Sequence, residues 1–149
     1  MAKANLSELR VLIVDDAPDM LRLLRGMLSS LGISRIEDAR DGQEALMMVR
    51  RFHPDFLLVD WEMEPMDGYT LVHHLRGVKS GADARAAVIM MSANAEPARI
   101  MAARKLGVSH FILKPVVPGR LAERMQWALD HPIDYVEIDE QWVPREFAG

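Results

Sequence analysis

At Asp55-Phe-Leu-Leu-Val-Asp60 the chain places four apolar residues in direct succession and ends the run with an acid. An unbroken apolar run of this length is typical of a short strand that is buried on both faces, as in a parallel sheet. The pattern therefore predicts a central strand with the carboxylate of Asp60 at its carboxyl end.

Composition limits the class of protein. The chain has 149 residues, half of them hydrophobic, and a formal net charge of −4. This length favours a single domain, and the scattered Lys and Arg residues argue against binding of nucleic acid. There is no cysteine, which excludes disulfides and thiolate metal sites. Neither a signal-peptide core nor a membrane-spanning apolar run is found, so we expect a cytoplasmic protein without membrane insertion.

Similar patterns recur along the rest of the chain. Four more short strands are predicted, at residues 11–14, 34–39, 86–91 and 108–113. Helices are predicted between them by apolar residues three and four positions apart. Their starts are marked by Pro18, Pro97 and Pro118, by the capping pattern Asp41-Gly-Gln-Glu44, and by Asp67. Alternating strands and helices predict βαβ units, and hence a parallel sheet with helices on both faces.

Polar residues follow four of the predicted strands. They are Asp15 and Asp16, Asp60, Ser92 and Lys114. Because the carboxyl ends of parallel strands meet at one edge of the sheet, we expect these side chains to lie close together. Converging carboxylates repel unless a cation is present, and Mg²⁺ prefers oxygen ligands. A lysine and a hydroxyl opposite them would suit a phosphoryl group, which an aspartate can accept as nucleophile.

These positions, in this order, strongly resemble the receiver domain of two-component response regulators. The run Asp60-Trp-Glu-Met-Glu-Pro-Met-Asp-Gly68 looks especially like the chemotaxis-type, single-domain receivers. The resemblance covers about residues 9–130. It implies an α/β, flavodoxin-like, doubly wound (βα)5 sandwich with a parallel sheet of order 2-1-3-4-5. A receiver domain would then span residues 1–131, followed by a C-terminal tail at 132–149.

The resemblance implies a role for each matching residue. Asp60 would be the phosphoacceptor. Mg²⁺ would be held by Asp16 directly, by Asp15 through water, by Asp60, and by the backbone carbonyl of Glu62. Phosphoryl-binding and switch roles would fall to Ser92, Ala93, Lys114 and Phe111. Glu62 and Asn94 would modulate the loss of the phosphoryl group, and the bond before Pro115 would be cis.

Partners follow from the same resemblance. The phosphoryl donor would be a histidine kinase or a histidine phosphotransfer protein, and the output would be contact with a downstream target protein. Such a chain is not an enzyme in the usual sense, although it assists its own phosphorylation and dephosphorylation. A homodimer remains an open alternative for the assembly.

The loop after Asp60 departs from the family pattern. The family has a proline four residues after the acceptor, whereas this chain has Glu64 there and Pro65 next. An additional carboxylate stands at Glu62, which could either repel a phosphoryl group or orient a water molecule. Because of this departure, an alternative hypothesis stays open, in which the chain is a receiver-like binding module that works without phosphorylation. A phosphatase with an aspartyl nucleophile is a third reading, although it expects an aspartate where Glu62 stands and a cap domain.

Several of these residues also have simpler interpretations, as structural rather than functional residues. Asp15 or Asp16 could cap the helix that begins at Pro18. Phe111 could be a core residue, and the adjacent His73 and His74 fit a solvated helix face better than a metal site. The tail is acidic but rich in apolar residues, so it is expected to pack on its own domain or, alternatively, on a partner or second subunit.

Overall fold

A computed structural model describes residues 5–149, which form a five-stranded parallel sheet with helices on both faces and a C-terminal hairpin. The strands of the sheet are β1 (Arg10–Val14), β2 (Arg35–Ala39), β3 (Phe56–Asp60), β4 (Ala87–Ser92) and β5 (Val108–Leu113). The helices are α1 (Pro18–Ser30), α2 (Gly42–Phe52), α3 (Gly68–Leu75), α4 (Pro97–Lys105) and α5 (Pro118–Asp130). Short 3-10 segments lie at Leu6–Glu8, Val78–Arg85 and Arg145–Phe147.

The strand order is β2-β1-β3-β4-β5, which confirms the predicted topology. All four neighbouring pairs in this sheet are parallel. Every residue of β3 is buried, as its unbroken apolar run predicts. The weaker run at β2 forms an edge strand, so the most apolar strands occupy the centre of the sheet.

Alternate residues of each central strand face two separate apolar layers. Phe56 and Leu58 of β3 face α1 and α5, where Leu24 and Leu121 are also fully buried. Leu57 and Val59 face the opposite layer, formed by α2, α3 and α4. Burial on both sides holds β3 firmly, and Asp60 is fixed at its end.

The tail folds into an antiparallel hairpin of β6 (Tyr135–Ile138) and β7 (Gln141–Pro144). It lies at the amino ends of β4 and β5, the end of the sheet away from Asp60. There the amide of Trp142 donates to the carbonyl of Arg76, and the hydroxyl of Tyr135 donates to the carbonyl of Gly107. The tail therefore contacts its own domain. None of the helices within residues 5–149 has the length and apolar character needed to cross a membrane.

Arg76 anchors this end of the molecule. Its guanidinium is fully buried and donates to the backbone carbonyls of Ala84, Ala86, Leu106 and Gly107. The ring of Tyr135 lies 5.0 Å from the guanidinium carbon, within the range of a cation–π contact. One side chain thus joins α3, the starts of β4 and β5, and the hairpin.

Candidate functional site

The carboxyl ends of four parallel strands bring the polar side chains together. Asp60 ends β3 and pairs in register with Met91, so Ser92 lies one residue beyond it on β4. Ser92 pairs with Leu113 on β5, which places Lys114 beside it, and the Lys114 amide donates to the Ser92 carbonyl. Asp15 follows β1 directly. The arrangement results from strand register, because each of these polar residues directly follows an apolar run.

Asp15, Asp16 and Asp60 form an acidic cluster. Each offers one carboxylate oxygen, and these oxygens lie within 4.8 Å of one another. Asp15 and Asp60 are only 1% and 2% exposed, whereas Asp16 is exposed. Two carboxylates with little access to water therefore share a site with a third that is solvated.

Lys114 supplies positive charge from the opposite side of the cluster. Its Nζ lies 3.0 Å from Asp60 Oδ1 and 3.6 Å from Asp15 Oδ2. Burial would lower the pKa of Lys114, but the neighbouring Asp60 and Asp15 outweigh it, and the pKa is raised. Lys114 therefore stays protonated and available to a further anion.

One cation does not balance these carboxylates. Burial raises the pKa of Asp60 to about 6, with the charge of Asp15 adding to the effect and Lys114 opposing it. The pKa of Asp15 is raised for the same principal reason. Asp15 Oδ2 and Asp60 Oδ1 are buried, and neither accepts a hydrogen bond of regular geometry from residues 5–149. Lys114 therefore offsets only part of the cost of burying these two carboxylates. Their oxygens suit a hard divalent cation such as Mg²⁺.

Capping of α1 does not account for Asp15 or Asp16. The residue at the helix N-cap is Ala17, and no side chain makes a capping hydrogen bond there. Asp15 Oδ1 accepts from the Ala17 amide at 2.9 Å, which fixes the carboxylate and leaves Oδ2 facing the cluster. The structure therefore does not support a role for Asp15 or Asp16 as the N-cap of α1.

The hydroxyl of Ser92 is held by Glu62. Ser92 Oγ lies 2.6 Å from Glu62 Oε2, and the Ala93 amide donates to Glu62 Oε1 at 2.8 Å. Burial would raise the pKa of Glu62, but the hydrogen bonds from Ser92 and Ala93 and the charge of Arg99 outweigh it, so the pKa is lowered. Glu62 is therefore a fixed anion beside the acceptor strand.

Arg99 is a member of the site that the sequence reasoning missed. Its Nη1 donates to Glu62 Oε2 at 2.6 Å and to Ser92 Oγ at 3.1 Å, and its guanidinium carbon lies 4.5 Å from the Trp61 ring centroid. It comes from the first turn of α4. No local pattern distinguishes it from the other basic residues, because its proximity to Glu62 depends on how the loop after β3 folds.

The remaining predicted residues lie around this centre. Asn94 accepts from the Glu96 amide through its side chain, and its own amide donates to Ser92 Oγ at 3.0 Å. The ring of Phe111 is half-buried, with its centroid 6.1 Å from that of Trp61. The Lys114–Pro115 and Glu64–Pro65 peptides are both cis. His73 and His74 lie exposed on α3, away from this site.

A receiver domain is the class of protein that this fold and site define. The family model of the response regulator receiver domain matches residues 11–126. The chain therefore belongs to that family, and the resemblance inferred from the sequence is confirmed.

Its relatives include chemotaxis proteins of the CheY type. The chain is 34% identical to a chemotaxis protein CheY of Pseudomonas aeruginosa over 121 residues, covering 79% of this chain and 94% of that protein. It is 32% identical to CheY-3 of Vibrio cholerae over 117 residues, covering 78% and 88% respectively. A solved complex of CheX, CheY, BeF3 and Mg²⁺ from Borrelia burgdorferi matches with a TM-score of 0.72 and 28% identity, covering 79% of this chain and 87% of that one. The chain is thus a receiver of the two-component, chemotaxis-like type.

Proposed function

We propose that the chain is a response regulator that accepts a phosphoryl group on Asp60 and signals by contact with a target protein. The observation that carries this proposal is the meeting of Asp60 with Lys114, Ser92 and two further aspartates at one edge of the sheet. A histidine kinase or a histidine phosphotransfer protein is the proposed donor. Relatives of the CheY type support this role, since their names state chemotaxis.

In the proposed reaction, a carboxylate oxygen of Asp60 attacks the phosphorus of the donor. The new bond joins that oxygen to phosphorus, and the bond between phosphorus and the donor breaks, with its electron pair leaving on the donor. Lys114, 3.0 Å from Asp60, is positioned to balance the charge of the transferred group. The Ser92 hydroxyl and the Ala93 amide are further donors for its oxygens.

Mg²⁺ would be held by Asp15, Asp16, Asp60 and the backbone carbonyl of Glu62. When bound, it would neutralise the carboxylates and stabilise charge on the phosphoryl oxygens. The buried Asp15 and Asp60 oxygens without regular hydrogen bonds support this assignment. The Borrelia CheY complex, solved with Mg²⁺ and BeF3, supports it independently.

Phosphorylation by a small donor tests the proposal. Intact-protein mass spectrometry after incubation with acetyl phosphate and Mg²⁺ should show one added phosphoryl group on the wild type and none on Asp60→Asn. Asp55→Asn is the matched control, because it makes the same change at the opposite end of the β3 run and should be labelled normally. Equal labelling of wild type and Asp60→Asn would refute the assignment.

One observation favours a second candidate, a receiver that acts without phosphorylation. Glu62 already occupies the Ser92 hydroxyl and the Ala93 amide. If the wild type neither gains a phosphoryl group nor responds to beryllofluoride, this candidate replaces the first. The phosphatase reading is weaker, because the lowered pKa of Glu62 keeps it ionised and unsuited to act as a general acid.

A further inference from the structure

The Ser92 hydroxyl and the Ala93 amide form an anion site that is filled from within the chain. A hydroxyl has one proton to donate. Ser92 Oγ lies 2.6 Å from the Glu62 carboxylate and 2.9 Å from the Asn94 carbonyl. The shorter distance and the negative charge assign the proton to Glu62. Both donors of the site are therefore committed to one carboxylate.

The same site lies beside the acceptor. Asp60 pairs in register with Met91, and the Trp61 amide donates to the Met91 carbonyl at 2.8 Å, so the β3 and β4 ends stay side by side. A phosphoryl group on Asp60 would extend from this edge and would need donors for its oxygens. Ser92 and Ala93 offer neutral donors at this edge, and both already donate to Glu62. Two anions therefore compete for one pair of donors, and they also repel each other.

Arg99 connects this competition to α4. Its side chain bonds both Glu62 and Ser92 and stacks over Trp61, and it is 26% exposed while Glu62 is 41% exposed. An ion pair that is partly exposed is screened less by water than a fully solvated pair. The first turn of α4 is thereby tied to the loop after β3 through Glu62.

We propose that Glu62 is an intramolecular competitor for the phosphoryl group, and that phosphoryl binding displaces Glu62 and transfers Arg99 from the carboxylate to the phosphoryl oxygens. This inference rests on the proposed function of Asp60. Glu62 and Arg99 act as positioning residues. Glu62 blocks the two donors, and Arg99 carries the conformational change from the loop to α4. The pair would thus set how readily this receiver is activated.

Binding of beryllofluoride at saturating Mg²⁺ tests the competition. Glu62→Gln keeps the size of the side chain but replaces charge-assisted hydrogen bonds with neutral ones, so it should hold the donors less firmly. We expect its affinity for beryllofluoride to rise about tenfold over the wild type. Glu64→Gln, which neutralises an exposed acid of the same loop, is the matched control and should change affinity far less. Equal or weaker binding by Glu62→Gln would overturn the inference.

Side-chain NMR of Arg99 gives a readout that a purely structural role would not move. The Arg99 Nε resonance, assigned by Arg99→Lys, should shift on addition of beryllofluoride in the wild type. In Glu62→Gln without ligand, it should already be displaced from its wild-type position. An Arg99 resonance unchanged by beryllofluoride or by Glu62→Gln would contradict the transfer of Arg99.

The outcomes separate the inference from the function on which it rests. Binding by the wild type with no gain in Glu62→Gln removes the competition but leaves Asp60 as acceptor. Binding of beryllofluoride by Glu62→Gln but not by the wild type supports strong competition from the Glu62 carboxylate. Binding by neither protein, together with no labelling by acetyl phosphate, refutes the proposed function and the inference together.

Discussion

Replacement of the proposed acceptor is expected to stabilise the fold. Asp60→Asn removes a carboxylate that is buried beside Asp15, and asparagine approximates the neutral form of the aspartate in size and shape. The effect should be seen at neutral pH without divalent cations, where the cluster is least balanced. A variant that loses function would thus gain stability.

The magnitude follows from the pKa of Asp60, which burial raises from 3.8 to about 6. Each pKa unit corresponds to about 1.4 kcal/mol, so ionising this group in the folded protein costs about 3 kcal/mol. Because the folded-state pKa is the higher one, the penalty is absent below the unfolded value. It develops as the pH rises through the interval between the two values and is complete above it.

Urea unfolding of the wild type and Asp60→Asn at about pH 4 and about pH 8 measures this penalty. The variant should be more stable by about 3 kcal/mol at the higher pH and by much less at the lower pH. Asp19→Asn is the control, because its carboxylate is 90% exposed and should have little influence. A variant no more stable than the wild type at high pH, or a gain independent of pH, would refute the reasoning.

Three further changes test the fold that carries the site, each by urea unfolding. Arg76→Met removes the guanidinium donors of the carbonyls of Ala84, Ala86, Leu106 and Gly107, of which Gly107 keeps the bond from Tyr135, and should cost about 3–5 kcal/mol; a loss below about 1 kcal/mol would contradict its role as anchor. Tyr135→Phe removes the hydrogen bond to Gly107 and should cost about 1 kcal/mol, without affecting phosphorylation. Gly68→Ala brings a Cβ against the backbone carbonyl of Asp60, so it should cost about 1–3 kcal/mol and lower labelling by acetyl phosphate; full labelling would show that the loop yields easily.

The sheet and the acidic edge could be predicted because their signals are local. Each central strand is an apolar run that ends in a polar residue, as at Val59-Asp60 and Met91-Ser92. The rule that carboxyl ends of parallel strands share one edge then brings Asp15 and Lys114 to the same place. The structure brings these side chains together, with Lys114 Nζ 3.0 Å from Asp60.

The network of Glu62 and Arg99 could not be predicted, because it depends on loop conformation and on the placement of α4. Nothing at Arg99 in the sequence marks it as a partner of a residue 37 positions earlier. The same holds for Arg76, whose acceptors come from the segments before β4 and β5.

The hairpin of the tail had a partial signal. Glu137 lies between the apolar residues Val136 and Ile138, which is a short alternation, but the turn has Asp139 and Glu140 in place of the Asn-Gly or Asp-Gly pairs that usually mark such turns. Both residues adopt positive φ angles, of 50° and 64°. The strand pairing therefore relies on packing against Arg76 and Gly107 rather than on a strong turn sequence.

Chemical trapping of the modified residue tests the central claim most directly. Borohydride reduces an aspartyl phosphate to homoserine, so protein incubated with acetyl phosphate and Mg²⁺, reduced and digested, reports the acceptor by peptide mass spectrometry. We predict homoserine at position 60 in the wild type, with Asp15 and Asp16 unchanged. Homoserine at either of those positions, or modification that persists in Asp60→Asn, would contradict the assignment of Asp60 as the phosphoacceptor.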